Sequence, residues 1–136
     1  MSEDLYSELI IDLWRNPSNR GTLQDRDLGV AGGNPFCGDR VQFSVIMDGG
    51  VIEDIRFDGA GCAISVAASS ILTSMVKGRT VDEALALTPD HLLGELGNIV
   101  RIRLGCALLG LKVLQRGLRT FVAGDGAKVE LTDVVA

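Results

Sequence analysis

The chain is poor in the residues from which cross-linked or aromatic cores are made. Aromatics are only 4% of 136 residues, so its core must be aliphatic. It has three cysteines and one histidine. No two cysteines form a Cys-x-x-Cys pair, which excludes a zinc ribbon and a thioredoxin-type redox site. An odd count suits thiols or metal ligands better than a disulfide framework. Positive charge is also short: 13 Lys and Arg stand against 18 Asp and Glu, a net charge of −5. That argues against nucleic-acid binding, which needs a basic face. Charges or glycines break the most apolar windows, so no membrane span is expected. Residues 1–15 are acidic and amphipathic rather than basic and then apolar, unlike a secretory signal. A cytoplasmic protein is expected.

Glycine is abundant, 17 of 136 residues against an ordinary share of about 7%. That points to tight turns and close backbone approaches. The length suits a single domain, 1–136, able to bury about two thirds of its unfolded surface without a staple. No internal repeat is present.

Leu5, Tyr6, Leu9, Ile10 and Leu13 fall at helical spacing, so residues 3–15 read as an amphipathic helix capped by Ser2 and stopped by Asn16-Pro17. Trp14 and Tyr6 are expected in the core. Residues 16–36 show almost no periodicity and read as a long irregular loop. Val41, Phe43, Val45 and Met47 alternate with other residues as a half-buried strand does. Asp48-Gly49-Gly50 is a hairpin turn, and Val51 to Phe57 returns. Residues 63–77 follow as a helix with an apolar stripe (Ile64, Ala68, Ile71, Leu72, Met75) and a semi-exposed hydroxyl face (Ser65, Ser69, Thr73). Thr80-Val81-Asp82-Glu83 is a capping box. Thr88-Pro89 opens another helix, with His91 on its surface. Leu104 to Leu118 is a final helix, weakened near Gly117, and residues 119–136 read as a loosely ordered tail.

The chemistry gathers at Gly32-Gly33-Asn34-Pro35-Phe36-Cys37-Gly38-Asp39-Arg40. Asn-Pro favours a turn. A thiol beside Asp and Arg on a glycine-cushioned loop is unusual for a packing residue, since structural cysteines sit among apolar neighbours. Cys62 and Cys106 each fall at or near a helix start, where the backbone favours an anion such as a thiolate. If the three meet in space, Asp39 is the natural fourth donor. Three sulfurs and an oxygen suit zinc, or a transient iron–sulfur cluster with one weak ligand. By spacing alone, three isolated cysteines are also compatible with simple packing.

At these residues the chain resembles the IscU/SufU/NifU N-terminal family of iron–sulfur cluster assembly scaffold proteins. Three motifs carry the resemblance: Asn34-Pro35-Phe36-Cys37-Gly38-Asp39-Arg40, Phe57-Asp58-Gly59-Ala60-Gly61-Cys62-Ala63-Ile64-Ser65, and the helix start Cys106-Ala107-Leu108-Leu109. Trp14-Arg15-Asn16-Pro17-Ser18-Asn19 is similar to the family's exit from its first helix. The motifs look most like SufU, without the insertion SufU carries before its last cysteine. The resemblance implies an α+β fold, a small three-stranded antiparallel sheet packed against helices. It implies that Cys37, Asp39, Cys62 and Cys106 converge at one end to bind metal or cluster, with Cys37 and Cys106 as candidate sulfur acceptors. It implies a cysteine desulfurase that donates sulfur, acceptor proteins that receive a [2Fe–2S] cluster, and iron held transiently.

Two readings stay open, a cluster scaffold and a zinc-dependent sulfurtransferase. A third is an interaction module without metal chemistry. The chain departs from the family at Gly105, where IscU places a histidine and SufU a lysine. It also lacks a Leu-Pro-Pro-Val-type segment, reading Leu-Gly-Asn-Ile-Val-Arg over 96–101. The resemblance therefore does not extend to a dedicated Hsp70 chaperone.

Overall fold

The structure is a computed structural model, described here for residues 8–36, 38–97, 99 and 101–135. Helix α1 spans Glu8–Arg15, strand β1 Leu28–Gly33, β2 Arg40–Asp48 and β3 Val51–Ala60. Then come α2 (Ala63–Val76), α3 (Val81–Leu85), α4 (Pro89–Leu96), a 3-10 turn (Arg101–Arg103), α5 (Leu104–Ala123) and β4 (Val129–Val135). The sheet order is β3-β2-β1-β4. β1, β2 and β3 pair antiparallel, and β4 joins parallel to β1. The architecture is α+β, with α2 and α5 packed on each other and on the sheet. No helix among the described residues is long and apolar enough to cross a membrane.

Val41, Phe43 and Val45 of β2 are buried as expected, but the alternation breaks at Ser44, which is buried too, and Met47 is half-buried; the Asp48–Val51 turn closes a hairpin with β3. β1 lies inside the stretch expected to be loop. Its pattern is hidden because only Leu28 and Val30 are large, and the positions between and after them are Gly29, Ala31, Gly32 and Gly33. Two of these glycines make room for the neighbouring strand. A Cβ on Gly29 would meet the Glu130 carboxylate at 2.6 Å, and one on Gly32 would stand 2.9 Å from Val134 Cβ. The same contacts make β4 possible. The tail is therefore not loose: Val134 is buried, and Arg26 donates to both Glu130 carboxylate oxygens through Nε and Nη2, at 2.8 and 2.9 Å. The sheet has four strands rather than three.

Two side-chain expectations are corrected. Trp14 is 49% exposed, because α1 turns Ile10 and not Trp14 into the core; Ser2, Leu5 and Tyr6 lie outside the described residues. The hydroxyl face of α2 is buried, with Ser65, Ser69, Ser70 and Thr73 all at 4% exposure or less. Burial is tolerable because hydroxyls find partners. Ser70 Oγ accepts from the Ser18 amide at 2.7 Å, and Thr73 Oγ1 from Asn19 Nδ2 at 3.1 Å. These bonds dock the chain leaving α1 onto α2. In α5, which runs five residues past its expected end, Gly117 is a contact seat rather than a weak point. A Cβ there would lie 2.8 Å from Val30. The predicted Thr80–Glu83 capping box forms, and Thr88 caps the next helix with His91 as its partner. His91 is exposed, and its Nδ1 accepts from the Thr88 amide at 3.0 Å.

Candidate metal centre

Three segments far apart in sequence meet at one end of the sheet. The first is the β1–β2 connection. The Asn34 amide donates to Asp39 O and the Gly38 amide to Asn34 O, each at 2.9 Å. Asn34 Oδ1 accepts from the Phe36 amide at 2.9 Å, an Asx turn. Gly38 takes φ +76°, a conformation glycine adopts without strain. The connection is braced by backbone bonds, and it delivers Asp39 to the mouth of β2. The second segment is the β3–α2 junction, where Cys62 is the N-cap of α2. The third is α5, whose first turn holds Cys106.

Ligand atoms of Asp39, Cys62 and Cys106 all lie within 4.8 Å of one another. Neither Cys62 nor Cys106 is in a disulfide. Cys37, the fourth expected member, lies outside the described residues. Asp39 and Cys106 are 8% and 4% exposed, and Cys62 is half-buried. Asp39 Oδ2 is buried and has no hydrogen-bond partner among the described residues. A buried, unpartnered carboxylate oxygen is costly, and a bound cation is one of the few things that relieves it. Donors on one zinc ion, at about 2.3 Å each, stand less than about 4.6 Å apart. The cluster thus needs little closing to fit an ion. Two thiols and a carboxylate form a soft set with one hard member, suited to zinc or to an iron–sulfur cluster.

Small residues admit this geometry. A Cβ on Gly61 would stand 3.1 Å from Asp39 Cγ and 3.0 Å from Ser65 Oγ. A Cβ on Gly105 would stand 3.1 Å from Asn34 Nδ2, so the Asn34 amide faces the place where a residue-105 side chain would begin. Phe36 and Ile102, on the segments that carry Asp39 and Cys106, are 96% and 87% exposed. An open cavity of about 410 Å³ adjoins Asp39, lined by Gly33, Asn34, Pro35, Arg40 and Val134 among others. Sequence reasoning missed the Val134 wall and the inward-facing Ser65. The Ser65 signal was available, since it follows Cys62 by three residues and shares its helix face. A larger cavity, about 660 Å³, lies at the other end of β2 around Asp27, Met47 and Phe121, and none of the thiols among the described residues lines it.

The family model for the NifU-like N-terminal domain matches residues 5–127. The zinc-dependent sulfurtransferase SufU of Bacillus subtilis is 34% identical to the chain, over 90% of this chain and 95% of that protein. The iron–sulfur cluster assembly scaffold protein IscU of Aquifex aeolicus is 36% identical, over 95% of this chain and 83% of its own length. The IscU scaffold protein of Escherichia coli K12 is 33% identical, over 90% and 98%. A crystal structure from Fervidobacterium islandicum AW-1, described as an iron–sulfur cluster assembly scaffold protein for the SUF system, superposes with a TM-score of 0.76. It is 28% identical and covers 87% of this chain and 99% of that one.

Proposed function

The chain belongs to the NifU-like N-terminal domain family, and from that premise we propose that it is an iron–sulfur cluster assembly scaffold. It accepts sulfur from a cysteine desulfurase, binds iron, and passes a [2Fe–2S] cluster to acceptor proteins. The observation that carries this reading is the convergence of Asp39, Cys62 and Cys106 from three separate segments. Cys37, two residues before Asp39, is assigned as the fourth ligand.

Sulfur arrives by exchange. A thiolate of this chain, at Cys37 or Cys106, attacks the outer sulfur of the donor's persulfide. One S–S bond forms as the donor's breaks, and the donor's cysteine leaves as a thiolate. Reduction of that sulfur to sulfide takes two electrons from an outside reductant. Cys62 caps α2 and Cys106 lies in the first turn of α5, so both thiols stand at helix starts. Asp39, the hard donor, keeps the cargo exchangeable.

A second reading is suggested by the SufU relative: a zinc-dependent sulfurtransferase. Zinc would be held by the same four residues and would keep their thiols deprotonated, while the acceptor thiol plays the part just described. Anaerobic purification with metal analysis and a visible spectrum separates the two, before and after iron, cysteine and a desulfurase are supplied. Sulfide-to-iron charge-transfer bands after reconstitution are expected for the scaffold. Stoichiometric zinc, no bands and desulfurase stimulation would establish the sulfurtransferase. A protein that takes neither metal nor sulfur would overturn both.

A further inference from the structure

Asp39 carries an unmet acceptor at the centre. Its Oδ2 is buried without a partner among the described residues, although nearly every buried polar atom in a folded protein has one. Ser65 lies across Gly61 from it. The point where a Gly61 Cβ would stand is 3.1 Å from Asp39 Cγ and 3.0 Å from Ser65 Oγ, so the two side chains converge over one bare α-carbon. Ser65 is 4% exposed, in the first turn of α2, three residues after the thiol Cys62. The other buried hydroxyls of α2 are directed elsewhere. Ser70 and Thr73 hold the Ser18–Asn19 segment, and Ser69 faces Gly110. Ser65 is the buried hydroxyl placed over the same glycine as the carboxylate.

We propose that Ser65 is a positioning residue for Asp39: its hydroxyl donates to the carboxylate oxygen that the metal leaves free. This rests on the reading of Asp39 as a ligand. A carboxylate that binds a cation through one oxygen keeps the other as a strong acceptor, and its orientation is set by whatever donates to that oxygen. The reach required is short, because only the small Gly61 intervenes. No hydrogen bond joins the two side chains as they stand, so a turn of the Ser65 side chain, or of the carboxylate as it takes the metal, closes the gap without any movement of the helix. Gly61 is then part of the device, since any side chain there would wedge between donor and acceptor.

The test uses the whole protein stripped of metal and titrated with Zn²⁺ alone against a chromophoric chelator. Ser65→Ala should weaken zinc binding about tenfold, the low end of the range for removal of an outer-shell partner. Asp39→Ala should weaken it at least as much, and Ser65→Ala should have no further effect in the Asp39→Ala background. Equal losses in both backgrounds would mean that Ser65 acts through helix packing and would overturn the proposal. So would Asp39→Ala weakening zinc while Ser65→Ala does not. If Asp39→Ala itself changes nothing, the ligand reading of Asp39 fails first, and the proposal falls with it. A crystal structure of the zinc-loaded protein is an independent check. Ser65 Oγ should lie within hydrogen-bond reach of a carboxylate oxygen, under about 3 Å, and a hydroxyl turned away to a backbone carbonyl would sink the assignment.

Discussion

The side-chain amide of Asn34 stands 3.1 Å from the point where a Cβ on Gly105 would lie, immediately before Cys106 in the chain. The amide is held there from its other end, because Asn34 Oδ1 accepts from the Phe36 amide. The place next to the last thiol is thus faced by a neutral donor from a different segment. A side chain at 105 must push that amide aside by a few tenths of an ångström.

Gly105→His should therefore supply a nitrogen donor that competes with Asp39 for the metal. Asp39→Ala is expected to cost about tenfold in zinc affinity in the native background and much less in the Gly105→His protein, where the new imidazole can take the vacated position. Adding Asn34→Ala should relieve the crowding and strengthen the rescue. Chelator competition on the single and combined variants reads all of this. Equal losses from Asp39→Ala in both backgrounds would mean the new imidazole does not reach the site.

Asp39→Ala should also lengthen the life of a reconstituted cluster, because it removes the hard donor from a soft set. The measurement is the decay of visible absorbance under a fixed chelator challenge, with an expected slowing of several-fold. Decay as fast as in the native protein would remove Asp39 from this role.

Gly117→Ala places a methyl group 2.8 Å from Val30 Cβ and Cγ1. Overpacking of this kind costs about 1–3 kcal/mol, even though alanine is the better helix former. Urea unfolding should show the loss, and Val30→Ala in the same chain should recover part of it. An additive pair of losses would mean that the two residues do not share one space.

The hold on β4 should weaken in acid. The hydrogen bond from Arg26 is the main cause that lowers the Glu130 pKa below its ordinary 4.5, while Arg26 stays protonated throughout. A carboxylate lowered on folding contributes its stability above the unfolded pKa and loses it as pH falls through the folded one. The pair is largely exposed, so its worth is at most about 1 kcal/mol. Hydrogen exchange of the Val129–Val135 amides, compared with a Glu130→Gln protein, should converge on the variant's protection as pH falls below 4.5. A constant difference between the two proteins down to acid pH would contradict the assignment.

Much of this molecule is carried by local pattern. The burial of Val41, Phe43 and Val45, the Asp48-Gly49-Gly50 turn and the Thr80–Glu83 cap each report a nearest-neighbour preference, and each formed. The thiols stood out for the same reason, through their glycine and charged surroundings. β1 and β4 were not legible that way. β1 is small-residue backbone whose strand character depends on Val134 and Glu130 packing from elsewhere, and β4 depends on the bare edge of β1.

The sequence by itself determined the motifs, their order and the types of donor at Asp39, Cys62 and Cys106, because donor chemistry belongs to the residue. Only the tertiary structure decided that these three lie within 4.8 Å, that Asp39 Oδ2 is buried without a partner among the described residues, and that Asp39 Cγ and Ser65 Oγ both stand close to the bare α-carbon of Gly61. Those are distances between segments up to 67 residues apart, from Asp39 to Cys106. They are set by how α2 and α5 pack on the sheet, which no local pattern contains.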